Sequence, residues 1–189
     1  SKVEMASGSH ARFEVAYHGE HLCHITLRIP GKHNIYNALA AVAAAHQLQV
    51  EPTVIEESLD AFTGAGRRFE ILGKPKGITI ADDYAHHPAE LEATLTAAKE
   101  MNFNRVWAVF QPFTYSRTAM LLDDFARVLA LADRVVMTEI MGSREINTYN
   151  IYTKDLADKI PGSVWFNTFE EVADYVVARA EPGDLIITL

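Results

Sequence analysis

The feature that most constrains this chain is the alternation that runs through its later part. Short runs rich in Val, Ile and Phe, at residues 69–72, 77–81, 106–110, 134–138, 164–166 and 185–189, take turns with longer stretches of helical apolar spacing. Parallel strands cannot be joined by a tight turn, so this pattern marks an α/β fold with a mostly parallel sheet covered by helices on both faces. The helical stretches are 88–101, 116–131, a short one from Thr153, and 168–180. Pro88 opens the first at the position where a missing N–H costs no internal hydrogen bond. Ser116 and Thr153 read as caps.

Residues 12–29 show strand-like runs around Gly19-Glu20, and glycine at the first central position suits a two-residue type II′ hairpin. Pro30-Gly31 ends the hairpin. Residues 34–48 then carry Ile35, Leu39 and Val42 at helical spacing among alanines, and a second helix follows Pro52 to about residue 62. Gly64-Ala65-Gly66 reads as a hinge, since two glycines around one small residue leave the backbone little preference. We therefore expect two parts, residues 1–64 and 65–189. The first is short of apolar bulk and reads as the end of a larger domain.

The chain is 49% hydrophobic and 22% charged, which sets aside disordered and fibrous classes. Its longest strongly apolar run, residues 38–45, is far short of the roughly 20 residues that span a bilayer, and no basic-then-apolar leader opens the sequence. A cytoplasmic protein without a membrane partner is expected. Cys23 is the only cysteine, so no intrachain disulfide can form. A net charge of −8 argues against a nucleic-acid partner, and any phosphate ligand must meet local positive charge.

Four segments could carry chemistry. In 31–41, His33, Asn34 and Asn37 lie along one stripe of a helix's first turn, where an amide can bond both edges of an adenine or Asn34 can simply cap the helix. In 66–70, Arg67 and Arg68 follow the hinge, placed either to reach phosphate and ribose oxygens or as a solvated surface. In 82–88, Asp82, Asp83, Tyr84, His86 and His87 lie between a strand's C-terminal end and a helix, where ligands sit in open α/β sheets. A metal site there lacks a third cluster, and helix capping is the plain alternative. In 110–118, Arg117 falls in a helix's first turn, suited to a substrate carboxylate or to pairing with Asp123 or Asp124. His18, His21 and His24 gather near the hairpin turn, with His18 and His21 expected to face each other, but Cys23 and His24 point to opposite faces of one strand. No metal site is expected.

Taken in order, GKHNIYNALAA, GAGRRFE, DDYAHHPAELEATL and FQPFTYSRT resemble the Mur ligases, over nearly the whole chain from about Phe13. Within that family the likeness is to members that add L-alanine, which Tyr84 and Phe69 favour over the tripeptide-recycling members. The resemblance implies a three-domain cytosolic enzyme. Residues 1–64 would be the end of the central ATPase domain, and residues 65–189 a Rossmann-like C-terminal domain. The implied reaction joins L-alanine to the lactyl carboxylate of UDP-N-acetylmuramate through an acyl phosphate, using ATP and Mg²⁺. His33, Asn34, Asn37, Arg68 and Asp83 would then contact ATP, and Tyr84, His86 and Arg117 the alanine.

Two departures stand out. Phe113 and Thr114 follow Gln111-Pro112 where many members have His and then Arg or Thr, so no histidine role transfers there. No G-x-x-x-x-G-K-[ST] loop occurs, so the phosphate loop and principal Mg²⁺ ligands are expected upstream and the chain is expected to be inactive alone. A non-catalytic nucleotide-binding module is the alternative outside enzymes. The resemblance fixes no oligomeric state.

Overall fold

Alternating inward residues build the first sheet. In the computed structural model, which describes the backbone of residues 3–5 and all of residues 11–189, β2 (Ala11–Tyr17) and β3 (Glu20–Leu27) pair as an antiparallel hairpin. Ala11, Phe13 and Val15 face inward from β2, and Cys23, Ile25 and Leu27 from β3. The turn differs from the expected type II′. Tyr17 pairs with Glu20, so His18 and Gly19 are the central residues, and both have positive φ (49° and 89°), as a type I′ turn requires. Consequently His18 does not face His21. A register shift after Val15 brings His21 beside His24 instead, with ring centroids 4.3 Å apart. The short strand β1 (Val3–Met5), without a signal of its own in the sequence, adds to β2.

Helix α1 (Lys32–Gln47) starts two residues earlier than its apolar spacing suggests, and α2 (Pro52–Ala61) follows. Ile35, Ala38 and Val42 of α1 and Ile55 of α2 complete a core with the inward residues of the hairpin. Two polar ties join β3 to α2: the His24 amide donates to Glu56 Oε1 at 2.7 Å, and Arg28 Nη2 lies 2.9 Å from Asp60 Oδ2. The chain divides into two compact units, Ser1–Gly66 and Arg67–Leu189.

The second unit is an α/β domain. Its elements are β4 (Glu70–Gly73), β5 (Thr79–Asp82), α3 (Pro88–Glu100), β6 (Val106–Phe110), α4 (Tyr115–Met120), α5 (Leu122–Leu129), β7 (Arg134–Thr138), α6 (Thr153–Ala157), β8 (Val164–Phe166), α7 (Phe169–Val177) and β9 (Leu185–Thr188). The six-stranded sheet has the order β4-β5-β9-β6-β7-β8, parallel throughout except for β4 at one edge. Successive strand residues serve opposite faces. Val106, Ala108 and Phe110, with Val135, Met137, Leu185 and Ile187, pack beneath α3, α5 and α6, where Leu91, Leu95, Phe125, Leu129 and Leu156 lie. Trp107, Val136 and Ile186 pack on the other face against Val172 and Val176 of α7.

Where β9 enters the sheet, the fully buried Asp184 accepts from Arg105 Nη2 at 2.7 Å, Trp107 Nε1 at 2.9 Å and the Glu181 amide at 3.0 Å. Burial alone would raise its pKa, but these donors outweigh burial and hold the carboxyl below its ordinary range.

Two helix starts depart from the sequence reading. The stretch 116–131 is not one helix capped by Ser116. It breaks at Leu121 (φ −116°, ψ 22°), and the break lets the adjacent Leu121 and Leu122 both pack on the core, where a continuous helix would turn them about 100° apart. Thr153 is not a cap but the first residue of α6, and its buried hydroxyl donates to the Thr138 carbonyl at 3.0 Å. No helix among the described residues is long and apolar enough to cross a membrane.

Candidate functional site

The loops after β5 and β6 leave the same end of the sheet, on either side of β9. The Asp83 amide donates to the Thr188 carbonyl at 2.9 Å, and the Gln111 amide to the Leu189 carbonyl at 3.2 Å. Two acidic residues open the first loop, and both are spent inside the protein. Asp82 accepts from Arg67 Nε at 2.8 Å and Thr188 Oγ1 at 2.5 Å. The buried Asp83 accepts the Phe69 amide on one oxygen and the Ala85 amide on the other, both at 2.8 Å. Asp83, expected to contact ATP, therefore turns no free oxygen outward and instead clamps residues 67–69 to this loop. The Tyr84 amide bonding the Arg67 carbonyl at 2.8 Å closes the same clamp.

That clamp leaves the Tyr84 ring half exposed among cations. The Arg67 guanidinium lies 4.8 Å from its centroid and that of Arg68 5.9 Å, while His86 meets it edge-on at 5.2 Å. His86 Nδ1 is 2.9 Å from the Tyr84 carbonyl, which fixes the ring's orientation and suits the tautomer protonated at that nitrogen. His87 caps α3, its Nδ1 accepting the Ala89 amide at 3.3 Å. Glu90 returns the favour by accepting the amides of His86 and His87. Burial pushes the Glu90 carboxyl up, but those amides and the nearby His86 and Arg68 leave it below its ordinary value.

On the second loop, Arg117 is half-buried and reaches back to the first, with Nη1 3.5 Å from the His86 carbonyl and its guanidinium 5.7 Å from the Phe113 centroid. The expected alternative partners are taken: Asp123 pairs with Lys159 at 2.8 Å and Asp124 with Arg127 at 3.7 Å. Among the described residues, Arg68 and Arg117 make no carboxylate pair. The Tyr84 and His86 rings thus come together, with Arg68 over the Tyr84 ring, and Arg117 reaches the main chain of His86 from the second loop. The start of α4 is less open than its position suggests, because Glu145 accepts the Ser116 amide at 2.8 Å there.

In the first unit, Gly31 rather than Asn34 precedes α1, and Asn34 lies within the first turn. Asn34 Nδ2 donates to the Pro30 carbonyl at 2.6 Å, and Asn37 Nδ2 donates to Asn34 Oδ1 at 3.1 Å. That leaves the carbonyl oxygen of the exposed Asn37 and the exposed His33 ring facing solvent. Among the described residues, no group of three His, Cys, Asp or Glu side chains could hold a metal ion. Cys23 is buried, and burial, with Glu56 adding to it, raises its thiol pKa, which makes it unreactive.

Sequence reasoning missed Glu145 and the linking role of Asp82. Glu145 had no local signal, since its partners lie 29 and 31 residues away.

A parallel α/β domain with arginines gathered beside an aromatic ring at the C-terminal end of its sheet defines the class. Residues 67–189 match the family model described as Mur ligase, glutamate ligase domain, and the chain belongs to the Mur ligase family. The UDP-N-acetylmuramate--L-alanine ligase of Caldicellulosiruptor saccharolyticus is 44% identical over 174 residues, 90% of this chain and 38% of that protein. The solved UDP-N-acetylmuramate-alanine ligase of Thermotoga maritima is similar with a TM-score of 0.77 at 29% identity, over 98% of this chain and 41% of that one. A murein peptide ligase from Psychrobacter arcticus gives a TM-score of 0.64 at 26% identity, over 98% and 40%. The chain spans about two fifths of the length of these relatives.

Proposed function

We propose that this chain is the C-terminal part of a cytoplasmic, ATP-dependent ligase that joins L-alanine to the lactyl carboxylate of UDP-N-acetylmuramate. The observation that carries the reading is the reach of Arg117 from one loop to the His86 main chain of another, beside the packed Tyr84 and His86 rings, in a chain 44% identical to a ligase named for that reaction. In such a reaction ATP converts the poor acyl donor into an acyl phosphate, and Mg²⁺ offsets the phosphate charge.

The residues of this chain bind and orient. Asn37 reads the adenine edge with its free carbonyl oxygen, beside His33, and Asn34 holds the amide in place. Arg68 contacts ribose or phosphate oxygens, while Asp83 positions the arginine segment without touching ATP. Arg117 holds the alanine carboxylate by charge-assisted hydrogen bonds, and His86 and Tyr84 wall the pocket. Residues 1–64 belong, in this reading, to the end of the central ATPase domain, and the described residues offer Mg²⁺ no three-ligand site. The phosphate loop would come from upstream.

ADP release by the whole ligase, measured with UDP-N-acetylmuramate and either L-alanine or a tripeptide, tests the proposal. L-alanine is the expected co-substrate. Preferential turnover of the tripeptide would overturn it.

A further inference from the structure

Helix α4 spans only six residues and breaks at Leu121. A helix that short is not stable on its own, because the cost of fixing its first turn is not recovered by later ones. Thr114 precedes it but makes no side-chain cap. What holds its first turn comes from the loop after β7, 29 residues on. Glu145 Oε1 accepts from Thr114 Oγ1 at 2.8 Å and from Ser116 Oγ at 2.5 Å, while Oε2 accepts the Ser116 amide at 2.8 Å.

The same loop is fastened alongside. The Met141 amide donates to the Pro112 carbonyl at 2.9 Å, Met141 bridges to Phe113, and Gly142 lies so close under Tyr115 that a Cβ there would sit 2.3 Å from the ring. The hydroxyls and amide that Glu145 gathers hold its carboxyl below the ordinary range, so it is ionised near neutral pH.

We propose that Glu145 is a positioning residue for the amino-acid site: it fixes the first turn of α4 and so aims Arg117 toward the loop of Tyr84 and His86. This rests on the reading that Arg117 holds the carboxylate of the incoming amino acid. Glu145 touches no substrate. It also fills the start of α4 with the protein's own carboxylate, so recognition falls to the Arg117 side chain rather than to the helix end.

The test uses the whole ligase carrying Glu145→Ala, Glu145→Gln or Arg117→Ala, with KM for L-alanine, KM for ATP and kcat measured for each. Glu145→Ala is expected to raise KM for L-alanine about tenfold, with the other constants within about twofold. Glu145→Gln is expected to restore most of the affinity, because its oxygen can keep the Ser116 amide while the two hydroxyls turn to accept from its nitrogen. If the alanine variant does not fold, Glu145→Asp, drawn back by one methylene, is expected to raise the same KM by about threefold. An unchanged KM for L-alanine in Glu145→Ala, or a loss shared by all constants that Gln does not relieve, would overturn the proposal. A rise in Arg117→Ala with none in Glu145→Ala would remove Glu145 alone. No rise in either would remove both readings. A rise in Glu145→Ala with none in Arg117→Ala would overturn the Arg117 reading and the aiming role with it.

Discussion

The two units hold their candidate ligand residues over different distances along the chain. At the start of α1 the support is local: Asn37 leans on Asn34 three residues back, and Asn34 on Pro30 four residues back. In the second unit remote supports are added to local ones such as the His86 contact with the Tyr84 carbonyl. Asp83 holds Phe69 across 14 residues, Asp82 holds Thr188 across 106, and Glu145 holds Ser116 across 29. A locally supported group depends on its own helix, whereas a remotely supported one depends on the whole sheet being in place. Substitutions in the first unit should therefore be felt only by their ligand, and those in the second should couple ligand binding to fold.

The sharpest way to break that contrast is at Asp184. Replacing it with Asn leaves Arg105 short of its buried partner and should cost the second unit about 3 kcal/mol, read by urea unfolding. An unchanged midpoint would mean that remote ties matter less here than their geometry suggests. Because its folded-state pKa is depressed, the stability Asp184 contributes is complete above the unfolded carboxylate's value near 4 and is lost as pH falls through the folded value. The gap between native protein and variant should accordingly narrow below about pH 4.

Arg117→Ala comes next. In the whole ligase it should raise KM for L-alanine by about 30- to 150-fold, the loss of about 2 to 3 kcal/mol of charge-assisted binding, and leave KM for ATP nearly unchanged. Equal changes in both constants would count against the assignment. Asn37→Ala probes the local site and should weaken ATP binding by about five- to tenfold without shifting the melting temperature. A large thermal shift would show that the contrast between units is drawn in the wrong place. The smallest effect belongs to Lys99→Ala, since the pair with Asp133 is exposed on both sides. Its removal should cost less than about 1 kcal/mol in the same urea experiment.

The same distinction explains what was legible in the sequence. Strands such as 106–110 and 134–138 announce themselves through a run of apolar residues, and the structure places β6 and β7 there. The hairpin was legible but its turn type was not, because assigning Gly19 to the first central position requires a register that only strand pairing fixes. Pro88 was legible as the first residue of α3 and capping from residues 82–88 stood as an alternative, which His87 takes; these are neighbours in the chain. The break at Leu121 and the hold of Glu145 on α4 were invisible, since both are settled by packing against residues far along the chain. Asp83 was expected to contact ATP, and the structure shows what its oxygens accept. Sequence gave the carboxylate's place at a strand end, and only the fold shows its oxygens already filled by backbone amides.

The position of β9 sets an order of events during synthesis. It lies between β5 and β6, yet it is the last of the six strands to be translated. A nascent chain that has produced β5 through β8 has two sheet halves that do not pair with each other, with Ala81 and Ala108 lacking the Ile187 that lies between them in the register. Those backbone edges remain open until residues 185–188 emerge, and long-range strand insertion of this kind is slow and exposed to mispairing. The domain therefore cannot close its sheet before that last strand has emerged, however early β5 to β8 are made, and any chaperone that shields the open edges must act until then.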